Sequence, residues 1–130
     1  MTTRKDRLRK LVTVQEKLKS LHETRHAGFL AAASKERIEA SELAETFDKA
    51  GSFGSLFPEL YNRRISAALG REQAHLALSR VEAGHVATAT ARTNMVERAY
   101  QEVRTKHDRD ATDRETLDMV ERKATAEGGK

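Results

Sequence analysis

The chain has no cysteine, no tryptophan and a single proline, Pro58. Without cysteine there is no disulfide frame and no thiol chemistry, and a reducing, cytoplasmic setting is the expectation. Aromatic residues make up only 5%. So few large side chains cannot fill a thick globular core, and a narrow seam between helices is the burial such a composition supports. No run approaches the ~20 apolar residues needed to cross a bilayer. The charged opening Arg4-Lys5-Asp6-Arg7 is followed by no apolar stretch, so no signal peptide is expected. With proline confined to position 58, nothing stops a helix from there to the Gly128-Gly129 tail.

What is present is charge, at 34% of 130 residues, and an apolar or small residue at every third or fourth position. The one clear break is Ala50-Gly51-Ser52-Phe53-Gly54-Ser55-Leu56-Phe57-Pro58. Pro58 suits the first turn of a new helix, where its missing N–H has no partner to lose, and Ser55 is the candidate cap. The pattern predicts an all-α fold: an antiparallel two-helix coiled-coil hairpin, with a helix over about 4–49, a turn at 50–57, a longer C-terminal helix over about 58–125 and a flexible tail at 126–130. It forms one domain. Gly70 and Gly84 are soft points in the second helix. A turn near Gly84, beside Thr88, Thr90 and Thr93, gives the alternative, a three-helix bundle.

In the first helix the stripe runs Leu11, Val14, Leu18, Leu21, Arg25, Phe29, Ala32, Glu36, Ala40, Leu43, Phe47 and Ala50. Arg25 and Glu36 interrupt it and are expected to reach outward from a loose seam; the alternative is a polar register device. In the second helix the seam runs Ile65, Leu69, Glu72, Leu76, Ser79, Ala83 and Val86, then shifts phase through Ala89, Thr93, Val96, Tyr100, Val103 and His107. Helix-supporting pairs one turn apart are Asp6–Lys10, Glu59–Arg63, Glu102–Lys106, Asp110–Arg114 and Asp118–Arg122. Phe47, Phe53, Phe57 and Tyr61 crowd the break, either packing on one another to close it or forming a binding patch.

Net charge is +4 but comes in blocks of alternating sign, basic over 1–37 and 61–109 and acidic over 38–60 and 110–130. A nucleic-acid binder would concentrate one basic face. Arg63, Arg64, Arg71, Arg80, Arg92, Arg98 and Arg104 are interrupted by acids, and few aromatics are placed to stack bases, so no nucleic acid is expected. The basic opening stands at the positive end of a helix dipole, which suits either a flexible solvated start or the docking of an acidic partner. His22 and His26 lie one turn apart, yet no third ligand follows, and solvated surface histidines are the expectation. No nucleotide loop, nucleophile elbow or paired-carboxylate pocket can be assembled. No catalytic residue, cofactor or metal is therefore expected, and the chain reads as a non-enzyme.

The two arms differ in length, ~70 Å against ~100 Å at 1.5 Å per residue. If the chain reverses near Phe53, Phe29 falls level with Ala77 and Leu8 with Arg98. The end of the second helix then has no partner from its own chain, although Leu117, Val120 and Ala124 continue an apolar stripe there. Such a stripe invites a partner.

Three stretches carry a family resemblance: Arg7-Leu8-Arg9-Lys10-Leu11 on through Leu18 and Ala27; Phe57, Leu60, Ile65, Leu69, Gln73 and Leu76; and the charged run from Glu97-Arg98-Ala99-Tyr100 to Arg122-Lys123. In this pattern, over nearly its whole length, the chain resembles the FliJ/YscO family of flagellar and type III secretion export. The resemblance implies a stalk of a hexameric export ATPase ring that also contacts the export gate protein and escorts export chaperones. Membrane association would be peripheral, through those partners. It places ring contact on Arg4, Arg7, Arg9 and Lys10 and on Arg114, Leu117 and Val120, within 112–123. It places gate contact on Phe57, Leu60, Tyr61 and Arg64. The alternative is a generic coiled-coil adaptor or scaffold, and after it a binder of nucleic acid or anionic membrane.

Overall fold

A computed structural model describes residues 3–128. Two α-helices and one short turn account for it: α1, Arg4–Asp48; a 3₁₀ turn, Phe53–Ser55; and α2, Pro58–Gly128. The two long helices pack against each other and no strand occurs among the described residues, so the fold is an all-α helical hairpin. α2 passes through Gly70 and Gly84 without a break, which removes the three-helix alternative. A lone glycine weakens a helix by about 1 kcal/mol but does not end it. The expected tail splits: 126–128 continue α2, while 129–130 lie outside the described residues.

The chain forms two compact units, 17–90 and 1–16 with 91–130, taken here in turn. In the first, α1 ends as expected at the glycine-serine cluster. Gly51 takes φ +82°, a left-handed conformation that favours glycine at a helix C-terminus. Gly54 is buried, and a Cβ there would stand 2.8 Å from the Phe47 carbonyl oxygen. Ser52 caps the 3₁₀ turn: its hydroxyl donates to Phe47 O at 3.2 Å and accepts from Gly54 N–H at 3.3 Å, while Ser55, expected to cap α2, is the last residue of that turn. Phe47 and Tyr61 then meet edge-on, ring centres 5.7 Å apart.

From that closure the inward positions of α1 step back by four and three without exception: Phe47, Leu43, Ala40, Glu36, Ala33, Phe29, His26, His22 and Lys19. α2 answers with Tyr61, Ile65, Ala68, Glu72, His75, Ser79, Glu82, Val86 and Ala89. The repeat is a heptad seam. Alanines let the backbones approach, and Ala68 is wholly buried. Its centre, however, is built from His, Glu and Ser.

This seam corrects the expected α1 stripe. From Phe29 to Phe47 the two agree, apart from Ala33 replacing Ala32, whereas Ala50 is exposed beyond the end of α1. Before it, Leu11, Val14, Leu18 and Leu21 are exposed, and the inward positions in their place are Leu8, Val12, Gln15, Lys19 and His22. The apolar stripe slips phase at Arg25, whereas the alanines and the Phe47–Tyr61 contact hold the seam in one phase. In α2 no phase shift occurs, and Ala83 is exposed while Ala68, His75 and Glu82 face inward. Arg25 does point to solvent, but Glu36 turns into the seam's edge, where Arg71 Nε donates to Oε2 at 3.0 Å.

In the second unit α1 opens with a reciprocal cap. Asp6 N–H donates to Thr3 Oγ1 at 3.2 Å and Thr3 N–H to Asp6 Oδ2 at 3.4 Å. The chain is therefore helical from Arg4. Leu8, Val12 and Gln15 face Thr93, Val96, Tyr100 and Val103 in the same heptad phase. His107, expected to continue the seam, is exposed. None of the five expected one-turn pairs forms; the short-range pairs among the described residues include Asp6–Arg9 at 3.4 Å and Lys19–Glu23 at 3.9 Å. Long side chains in water gain too little from such pairs to fix one geometry.

Candidate docking surfaces and the polar seam

Three places bring functional side chains together. The first is the turn. Phe53, Phe57, Leu60, Tyr61 and Arg64 line one shallow, open recess of about 320 Å³. The aromatic cluster is divided in its work. Phe47 and Tyr61 are half-buried and pack on each other. Phe53, Leu56, Phe57 and Leu60 are exposed, Phe53 at 65% and Leu56 at 69%. Four of the residues named from the sequence, Phe57, Leu60, Tyr61 and Arg64, therefore do sit together. Phe53 belongs with them, its ring centre 6.5 Å from that of Phe57.

The second is the polar centre of the seam. His22 Nδ1 lies 2.7 Å from Glu82 Oε2, with both side chains largely covered. With Glu82 as a carboxylate the contact requires a proton on Nδ1. The His22 ring stacks on His85, centres 4.9 Å apart. His26 is half-buried, and His75 Nδ1 is buried with no hydrogen-bond partner among the described residues. Glu72 is held by Arg37 at 3.7 Å, and Arg71 spans Glu36 and Glu39. His22 and His26 are thus interior groups rather than solvated surface histidines. Extending the Phe47–Phe29 phase backward along the sequence finds them; following the leucines does not. No group of three or more His, Asp or Glu among the described residues is arranged to hold a metal ion.

The third is the end formed by 1–16 and 91–128. Arg4, Arg7, Arg9 and Lys10 are exposed. Thr3 holds the Asp6 carboxyl below its ordinary value, first through its hydroxyl and then through its backbone N–H, with Arg9 and Lys5 adding attraction. A groove of about 300 Å³ runs between the helices, lined by Leu8, Gln15, Arg92, Met95, Val96 and Ala99. Beyond it every described residue from 104 to 128 is exposed, including Arg114, Leu117 and Val120. Thr112 and Thr116 there donate to the carbonyls of Asp108 and Thr112, one turn back in the same helix.

No family model, no curated protein and no solved structure matches the chain. No helix among the described residues is long and apolar enough to cross a membrane.

Proposed function

We propose that this chain is a non-enzymatic docking hairpin of a flagellar or type III protein export apparatus. In this reading it is the stalk of the export ATPase ring and an escort for export chaperones, working in the cytoplasm and at the inner face of the membrane through its partners. The observation that carries the reading is the uncovered arm at 104–128. It keeps Leu117 and Val120 at 62% and 58% exposure, in the same unit as the exposed basic opening of α1. An apolar stripe left in water by its own chain is a surface for another protein. The family assignment itself rests on the sequence resemblance. The exposed tip at Phe53, Phe57 and Leu60 supplies a second surface, suited to the gate protein that the resemblance implies.

The test is a titration of the chain into purified export ATPase hexamer. Exchange of Leu117 and Val120 for Ser removes up to ~3 kcal/mol of apolar burial, about a hundredfold in affinity. Phe57→Ala with Tyr61→Ala leaves ring binding intact. An ATPase that does not bind the wild-type chain, or that binds the arm variant equally well, contradicts the reading.

A further inference from the structure

The groove and the arm of the same unit have complementary chemistry. A lone helix turns once in 3.6 residues, so the face that carries Arg92, Met95 and Ala99 in the groove returns at Lys106, Asp110, Leu117 and Val120. One end of this face is apolar at the groove, the other is apolar on the arm, and the stretch between them carries Lys106 and Asp110 a turn apart with Glu102 and Asp113 on either side. We infer that the arm of one copy docks in the groove of a second copy, antiparallel and reciprocally, making a two-fold dimer through residues 92–124 of both α2 helices.

The register follows from the charges. A two-fold axis beside Asp108 sets Lys106 of each copy against Asp110 of the other, forming two equivalent ion pairs. The same axis sets Leu117 on Ala99 and Val120 on Met95, twice over. An isologous contact repeats every interaction in this way. Leu8 shares the groove with Val96 and Ala99, so Arg4, one turn earlier in α1, stands near the level of Val103. The acidic run Asp110, Asp113 and Glu115 of the incoming arm then arrives beside Arg4 and Arg7. This register brings Glu102 near Asp113, and Lys106 and Arg4 flank that like-charged pair. Charge pairs of this sort set register and orientation more than they set affinity, while the apolar ends supply the burial.

The inference rests on the arm and groove and not on the export reading, and it is tested on the isolated chain. Sedimentation equilibrium should show a monomer–dimer exchange in the micromolar to millimolar range. Lys106→Asp should weaken it by about tenfold or more, since two ion pairs become two repulsions. Adding Asp110→Lys to the same chain should restore it, because the swapped pair is equivalent. The absence of native cysteine allows a clean geometric check. Mixed Met95→Cys and Val120→Cys chains should form a disulfide-linked heterodimer, and mixed Val120→Cys and Glu45→Cys chains should not. All five substituted positions are exposed, so folding is not at stake. A chain that stays monomeric throughout the range, a dimer indifferent to Lys106→Asp, or a double exchange that fails to rescue overturns the inference.

Discussion

Two stretches of α2 differ less in composition than in what they face. From Tyr61 to Val103 an inward residue recurs at every third or fourth position without a slip. Continued past Val103, that phase falls on His107, Asp110, Arg114, Leu117 and Glu121. The first stretch is covered by α1; the second is exposed throughout, and all of its positions on this phase except Leu117 are polar or charged. Of the arm's apolar residues Leu117 falls on that phase and Val120 does not, and the two share one face only at the natural period of a single helix. One helix thus carries a covered seam and an uncovered arm.

The largest effect is expected where the seam is tightest. Ala68 is wholly buried, and Ala68→Leu should cost about 3 kcal/mol in urea unfolding, the upper end of overpacking, since two helix backbones flank it. The same exchange at Ala111, on the arm, should change stability by no more than about 0.5 kcal/mol. Equal costs at the two sites would abolish the distinction between seam and arm.

Glu82→Ala comes next. It leaves the largely covered His22 Nδ1 without its acceptor, a loss of about 1–2 kcal/mol. His22→Ala and the double variant complete a cycle, and additive losses would mean that the contact contributes nothing. Gly84→Ala should act in the opposite direction. The added methyl meets nothing within 4 Å, and a stabilisation of about 1 kcal/mol is expected from helix propensity. A loss of stability there would point to a bend at this site.

The smallest effect is at the opening of α1. Asp6 has a folded pKa below its ordinary 3.8. Its contribution is therefore full above the unfolded value and is lost as pH falls through the folded one. A carboxyl titration followed by NMR should place the Asp6 midpoint below 3.8, and Thr3→Ala should raise it. An unchanged midpoint in Thr3→Ala would remove the capping box as its cause.

The break at 50–57 and the continuity of α2 were legible in the sequence because glycine, serine and proline act locally. The inward face of α1 before Phe29 was not. Hydrophobicity pointed to Leu11, Val14, Leu18 and Leu21, while the helices meet through Lys19, His22 and His26. Alanine at 33, 40, 68 and 89 sets the approach of the helices, and alanine contrasts little with its neighbours in a chain so rich in it. The His22–Glu82 contact joins residues far apart in sequence, and only the fixed phase from Phe47 backward marks either partner. The aromatic tip was legible as a cluster, but its division into packed Phe47 and Tyr61 and exposed Phe53 and Phe57 needed the turn's geometry. The uncovered arm followed from unequal helix lengths alone.

Amide hydrogen exchange along α2, measured on the dilute monomer, tests the account most directly. Protection depends on whether opening a helix also breaks packing, and a helix without a partner is marginal in water. Slow exchange from about Ile65 to Tyr100, falling sharply beyond Val103, is the predicted profile. Protection that continues undiminished to Ala124 in the monomer would show the arm packed on its own chain and would contradict the central claim.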